Sequence, residues 1–133
     1  MIVSNIFQAD CLLISSSNDT NICFLETANL DGETNLKQKD VVDVDDYLDE
    51  ESPNALFPFI VHTEKPNPDL TSFKGYLVPY RENEQTENSK ILVKNRNVLY
   101  RGCVLRNTDQ IEALIIYAGK NTKAVLSNND PPR

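Results

Sequence analysis

The sequence predicts a mainly β domain whose short strands close on one another as two packed sheets or a distorted barrel. Three observations carry this. Short apolar runs alternate with clusters of Gly, Pro, Asn, Asp and Ser along the chain. The runs are rich in β-branched and aromatic residues, which fit a pleated, half-buried surface. The longest of them, Cys11-Leu12-Leu13-Ile14 and Ala113-Leu114-Ile115-Ile116-Tyr117-Ala118, are strand length and far below the roughly 20 apolar residues of a membrane helix. Strands this short bury their apolar faces only against each other, so a layered or barrel-like β fold follows.

Taken in order, strands are expected at 2–3, 11–15, 21–27, 57–62, 73–78, 90–93, 98–101, 104–107 and 111–118. Two helices are expected between them. In 41–51, Val41, Val44, Tyr47 and Leu48 share one face; 122–127 forms a turn or two with Asn121 as its cap. The polar stretch 80–95 (YRENEQTENSKILVKN) reads as a surface loop of free length, and the tail 128–133 (NNDPPR) as a linker leaving the domain. There is no internal repeat.

Composition narrows the function. At 133 residues the chain amounts to about one domain with a single core. Its net charge is −7, with Lys and Arg scattered, so the electrostatic footprint of a nucleic-acid binder is missing. An acidic surface is also repelled by anionic lipid, which argues against direct lipid contact. The acidic run Asp43, Asp45, Asp46, Asp49, Glu50 and Glu51 lacks the alternating ligands and sixth-position glycine of a calcium loop, and reads as the solvated face of a short helix. The three cysteines, Cys11, Cys23 and Cys103, sit in apolar segments and fit buried, reduced thiols of a cytosolic compartment. Asn18-Asp19-Thr20 is a formal glycosylation sequon read here as a turn, and nothing at the amino end reads as a signal peptide. His62 is the sole histidine, so no histidine-rich metal site forms and its role is that of a packed or half-exposed strand residue.

One segment argues for particular chemistry. Within 23–36 (CFLETANLDGETNL) stands the quartet Asp31, Gly32, Glu33 and Thr34. Gly32 has no Cβ and tolerates positive φ, so the chain bends there and its backbone can approach another surface closely. Glu33 then projects from the tip, and a carboxylate held on a turn can orient water. Asp-Gly by itself is a common turn dipeptide joining two strands, so the quartet alone carries little weight.

The flanks add that weight. Glu26-Thr27-Ala28-Asn29-Leu30 leads into the quartet and Asn35-Leu36-Lys37 follows it. Together they resemble the actuator domain of P-type ATPases, most closely of the phospholipid-flippase class, whose members carry an Asp-Gly-Glu-Thr loop where cation pumps carry Thr-Gly-Glu-Ser or Thr-Gly-Glu-Ala. The resemblance continues in order over most of the chain. Phe7, Ala9 and Asp10 with Leu12-Leu13 and Ser15-Ser16-Ser17 are similar to the family's Phe-Pro-Ala-Asp strand start. Glu64, Pro66, Asn67, Leu70, Phe73, Gly75 and Leu77 match a second stretch, and Leu99, Arg101, Gly102, Cys103, Leu105, Arg106, Asn107 and Thr108 a third. Tyr117, Gly119, Thr122 and Lys123 close the series. The chain departs from the pattern at Gln8, where proline is usual, and at Asp109-Gln110, where an aromatic residue is common.

The resemblance implies a distorted jelly roll, or double-stranded β-helix, with one or two short helices. It makes 1–133 a single actuator domain with a variable loop at about 80–96, on the cytosolic face of a membrane between the second and third membrane helices of a multi-pass pump. In such pumps ATP phosphorylates an aspartate in a separate domain and the actuator swings its loop over the acyl phosphate. By that analogy Glu33 orients or deprotonates the attacking water. Gly32 permits close backbone approach, Thr34 adds a hydroxyl contact, and Asp31 stiffens the turn. The implied partners are the phosphorylation and nucleotide-binding domains and membrane helices of the same chain, with an accessory membrane subunit. ATP and Mg2+ belong to those other domains, and no cofactor or metal is expected in this one. The P-loop-like Ala118-Gly119-Lys120-Asn121-Thr122 has Leu114 where the first glycine is required, and the phosphorylatable Asp-Lys-Thr-Gly is missing. Two rival readings are an actuator-like regulatory domain in a non-pumping fusion protein and a jelly-roll ligand-binding module. The second would favour aromatic platforms, yet the chain has no Trp.

Overall fold

In a computed structural model, which describes residues 6–43, 59–79 and 90–128, the chain is mainly β and jelly-roll-like. Nine strands are described: β1 (Asp10–Ser16), β2 (Ile22–Glu26), β3 (Lys37–Asp40), β4 (Phe59–Thr63), β5 (Gly75–Pro79), β6 (Ile91–Val93), β7 (Val98–Leu99), β8 (Val104–Arg106) and β9 (Ile111–Tyr117). The helices are a single turn, α1 (Ala28–Asp31), and α2 (Lys123–Asn128). The strands form three antiparallel sheets of three, ordered β7-β1-β9, β3-β2-β8 and β4-β5-β6.

The apolar runs determine where the core lies. β1 is buried on both faces at Leu12 and Leu13, because its first half is sandwiched, and its register with β9 shifts between Asp10 and Cys11 and again between Leu13 and Ser15. Such bulges bend and twist a strand, which lets one strand curve around a small core. Cys23 and Leu25 of β2, Leu77 of β5, Val98 and Leu99 of β7, and Cys103 join the same cluster. All three thiols are free and buried, and burial pushes each up to about 11. They are inert as nucleophiles at neutral pH.

Several expectations need adjustment. β3 (KQKD) carries no apolar signal; it exists because its backbone pairs with β2, Cys23 opposite Lys39 and Leu25 opposite Lys37. Lys39 is buried, donating from Nζ to the Asn95 carbonyl at 3.0 Å and lying 5.3 Å from the Tyr100 ring centre. Residues 41–43 of the helix expected at 41–51 are irregular, with the amides of Val41 and Val42 on the carbonyls of Asn21 and Leu13; 44–51 lie outside the described residues, as do the strand expected at 2–3 and most of the acidic run. Asn121 does not cap α2. It closes a 3-10 turn over Gly119–Asn121, and the carbonyl of Thr122 takes the amide of Leu126. In the stretch read as a free loop, Ile91 and Val93 of β6 point into the core, while 80–89 lie outside the described residues.

Asn18 forms the expected turn: its side chain donates to the Ile22 carbonyl and to Thr108 Oγ1, and Asn21 follows at φ 57. His62, on the exposed side of β4, stacks on Tyr76 with ring centres 4.6 Å apart. Among the described residues no helix is long and apolar enough to cross a membrane.

Candidate functional site

The Asp31 to Thr34 quartet sits where β2 hands over to β3. β2 ends at Glu26, and Thr27 starts α1, whose carbonyl takes the amides of Leu30 and Asp31 at 2.8 and 3.0 Å. One turn later the chain must reverse toward β3. Gly32 does this at φ 73, the left-handed region where L side chains are strained, with its amide on the Ala28 carbonyl at 2.9 Å. A Cβ placed on Gly32 meets nothing within 4 Å, so the glycine answers to backbone conformation in this domain and leaves open space beside it.

Asp31 braces the turn. Its Oδ1 accepts from the Thr27 hydroxyl and from the Glu33 amide, both at 2.9 Å, and its Oδ2 accepts from the same hydroxyl at 3.0 Å. The Glu33 amide, followed by that hydroxyl, holds the Asp31 carboxyl below its ordinary range. A carboxylate tied this way on both sides of the turn acts as a brace for the loop. Glu33 points outward. The whole run from Asp31 to Leu36 is exposed, apart from the ion pair that Glu33 makes with Lys37 four residues on. That pairing raises the Lys37 ammonium above its usual value. Thr34 lies exposed on the same run.

The turn rests on the protein rather than floating from it. Asn29 donates from Nδ2 to the Gly102 carbonyl at 3.1 Å, and Leu30 packs over Gly102, whose φ is 93. Beside it, Glu26 of β2 and Arg106 of β8 form an ion pair at 3.1 Å. Thus the Arg101-Gly102-Cys103 stretch, far away in sequence, supplies the seat for the loop. The two segments were matched separately in the sequence, and what joins them is the pairing of β2 with β8.

A second polar centre was not anticipated. Lys123, the first residue of α2, is fully buried, and its Nζ donates to Glu64 Oε1 (3.0 Å), Asn67 Oδ1 (2.8 Å), the Asp69 carbonyl (2.6 Å) and the Ser72 carbonyl (3.2 Å). The loop between β4 and β5 is wrapped around this ammonium. Asp69 is tied by the hydroxyl and amide of Thr71 and by the Ser72 hydroxyl, which depress its carboxyl to about 2. Asp10 is equally buried. It accepts from the Arg101 amide at 2.9 Å and from the Lys123 amide at 2.8 Å, so one carboxylate holds both the Arg101-Gly102 turn and the start of α2. The signal that could have found Asp10 is its position directly before a wholly apolar run: a carboxylate there is drawn into the interior and needs donors.

No protein-family model matches the chain. Individual relatives do. It is 44% identical over 128 residues, 96% of its length, to phospholipid-transporting ATPase VA of Homo sapiens. It is 38% identical over 128 residues to phospholipid-transporting ATPase VD of Mus musculus, and 40% identical over 126 residues to probable phospholipid-transporting ATPase 12 of Arabidopsis thaliana. The match occupies 8%, 9% and 9% of those proteins. The chain therefore belongs to the phospholipid-transporting ATPase family as the counterpart of one segment of those enzymes.

Proposed function

We propose that this chain is the actuator domain of a phospholipid-translocating P-type ATPase, acting from the cytosolic face of a membrane, and that Glu33 serves the water that hydrolyses an aspartyl phosphate on another domain. One observation carries the reading: Glu33 is an outward-facing carboxylate on a turn braced from behind by Asp31, in a chain similar over 128 residues to phospholipid-transporting ATPases.

The chemistry asked of the loop is limited. Water attacks phosphorus, its proton passes to the Glu33 carboxylate, and the bond between phosphorus and the aspartyl oxygen breaks, returning a free carboxylate and inorganic phosphate. Asp31 fits beside this as a brace, its oxygens accepting from Thr27 and Glu33. A second free carboxylate facing the phosphate would raise the barrier. Gly32 leaves open space where a Cβ would stand, room that the phosphoryl oxygens or their domain can use. Thr34 offers a hydroxyl from the same exposed run. Lys37, paired with Glu33 in the free domain, exchanges that weak exposed contact for the anionic phosphate when the loop docks. The partners in this reading are the phosphorylation and nucleotide-binding domains and the membrane helices of the same protein, where ATP and Mg2+ act. An accessory membrane subunit completes the assembly.

The test is made in the full-length protein. Glu33→Gln keeps shape and removes the base, so phosphorylation by ATP proceeds while the phosphoenzyme decays slower by about 10² or more. Asp31→Asn is milder, because an amide oxygen still accepts from the Glu33 amide. Radiolabelled ATP in a pulse-chase reads both. Wild-type decay in Glu33→Gln means the quartet is a plain turn, and the chain then fits a regulatory domain without this chemistry.

A further inference from the structure

We infer that Asp10 is a positioning residue for Glu33: its buried carboxylate fixes the Arg101-Gly102 turn on which the Glu33 loop is seated and ties that seat to the first residue of α2. This rests on the role proposed for Glu33.

A chain of short contacts leads from a buried carboxylate out to the exposed loop. Asp10 is fully buried at the start of β1, where the register slips before Cys11. Its two oxygens are divided, Oδ1 to the Arg101 amide at 2.9 Å and Oδ2 to the Lys123 amide at 2.8 Å. The turn so held is also clasped by the Gly102 amide on the Phe7 carbonyl at 2.9 Å and by Arg101 Nη1 on the Gly119 carbonyl at 3.3 Å. On its far side the Gly102 carbonyl receives Asn29 Nδ2, and Leu30 lies over Gly102. Asn29 and Leu30 are the middle of the single helical turn whose last residue, Asp31, holds the Glu33 amide. Only three links therefore separate Asp10 from Glu33: the bond to the Arg101 amide is partly buried, and the Asn29 and Asp31 side-chain bonds are exposed but short, at 3.1 and 2.9 Å.

A carboxylate is the group this position needs. Two backbone N–H donors converge on it from different segments, and an amide side chain offers one oxygen and turns an NH2 toward the other donor. Burial penalises the charged form and pushes the Asp10 carboxyl above its ordinary value, against the pull of the two amides. A buried acid that carries that penalty while spanning two distant segments fits a role in fixing their geometry. Catalytic groups held to within a fraction of an ångström lose rate steeply when their support shifts. α2 is fastened at the same carboxylate, so a displacement of α2 and the direction of Glu33 are bound to one another.

The experiment uses the full-length protein and reads the decay rate of phosphoenzyme already formed, which does not depend on how much protein folds. Asp10→Asn is expected to slow decay on the order of tenfold, with phosphorylation by ATP retained. Asn29→Ala, at an exposed residue, acts in the same direction by a smaller factor and carries the test alone if Asp10→Asn fails to accumulate. The double variant decays no slower than Asp10→Asn, because both act along one chain of contacts. In a Glu33→Gln background neither substitution slows decay further. Wild-type decay in both single variants, beside a slow Glu33→Gln, overturns the inference and leaves the role of Glu33 standing. Slowing that multiplies with that of Glu33→Gln also overturns it. Wild-type decay in Glu33→Gln itself strikes the underlying reading instead.

Discussion

The two polar centres of this domain hold their carboxylates by opposite means. At the Asp31 to Glu33 loop the groups are exposed, neighbours in sequence, and bonded to their own turn: Thr27 to Asp31, Asp31 to the Glu33 amide, Glu33 to Lys37. At the other centre Asp10 and Lys123 themselves are fully buried and bonded across the chain, Asp10 to Arg101 and Lys123, and Lys123 to the more exposed loop residues Glu64, Asn67, Asp69 and Ser72. The contrast separates two tasks. Under the proposed role, a loop that meets another surface would have to stay wet, and here local bonds shape its tip while only Asn29 and Leu30 behind it rest on Gly102. A centre inferred to fix the loop's seat gains from excluding water, because a hydrogen bond is stronger and an unmade one costlier in a low dielectric.

The largest expected effect breaks the buried centre. Lys123→Met keeps length and apolar bulk but leaves Glu64, Asn67 and two carbonyls without their donor. Unfolding of the 133-residue chain by urea should show a loss of about 3 kcal/mol or more, whereas Lys37→Met, at the exposed pair, leaves the midpoint essentially at the parent's. Equal losses would erase the distinction between the two centres.

Glycines sharpen the comparison at the next scale. Gly32 and Gly102 both sit at positive φ, 73 and 93, so alanine is strained at each. At Gly32 a Cβ meets open space and the cost is about 1 kcal/mol, from backbone strain alone. At Gly102 the new methyl only touches Leu30 Cδ2 at 3.4 Å, but φ lies further from the left-handed well and the amide is fixed on the Phe7 carbonyl, so the backbone cannot relax and the loss is expected near 2 kcal/mol. Thermal melts of the two variants decide it, and Gly32→Ala melting below Gly102→Ala would mean that the loop is held more tightly than its contacts indicate.

What could be read from the sequence divides along the same line. The exposed loop was legible, since Asp-Gly dictates a reversal, Gly32 adopts the positive φ expected of it, and Asp31 stiffens the turn through bonds to residues two and four positions away. Apolar runs likewise revealed most strands. β3 stayed hidden because KQKD has no apolar period and is a strand only through its pairing with β2. The buried centre stayed hidden for a related reason. A lone Asp or Lys looks like surface in one dimension, and the partners that draw Asp10 and Lys123 inside lie 91 and 113, or 51 to 59, residues away. The spacing of Val41, Val44, Tyr47 and Leu48 suggested a helix from 41, whereas 41–43 are irregular and the amides of Val41 and Val42 meet the carbonyls of Asn21 and Leu13, long-range partners that no local pattern announces.

The smallest effect is one of pH, and it tests the contrast by sign. Asp69 is an exposed brace like Asp31, depressed to about 2 by the Thr71 hydroxyl and amide and by Ser72. Because its folded value lies below the unfolded one near 3.8, its contribution is complete above about pH 4 and is lost as the pH falls toward 2. Asp10 runs the other way: burial raises its folded value, the native state holds the proton more tightly than the unfolded chain, and acidification relieves the penalty of the buried charge. Denaturant midpoints of the parent, Asp69→Asn and Asp10→Asn are to be compared from pH 6 down to pH 2. The parent's advantage over Asp69→Asn should shrink across the lower part of that range, and its advantage over Asp10→Asn should grow as the pH drops below 6. If both differences move in the same direction, the two carboxylates are held alike, and the division between a wet, self-braced loop and a dry, cross-chain anchor does not describe this domain.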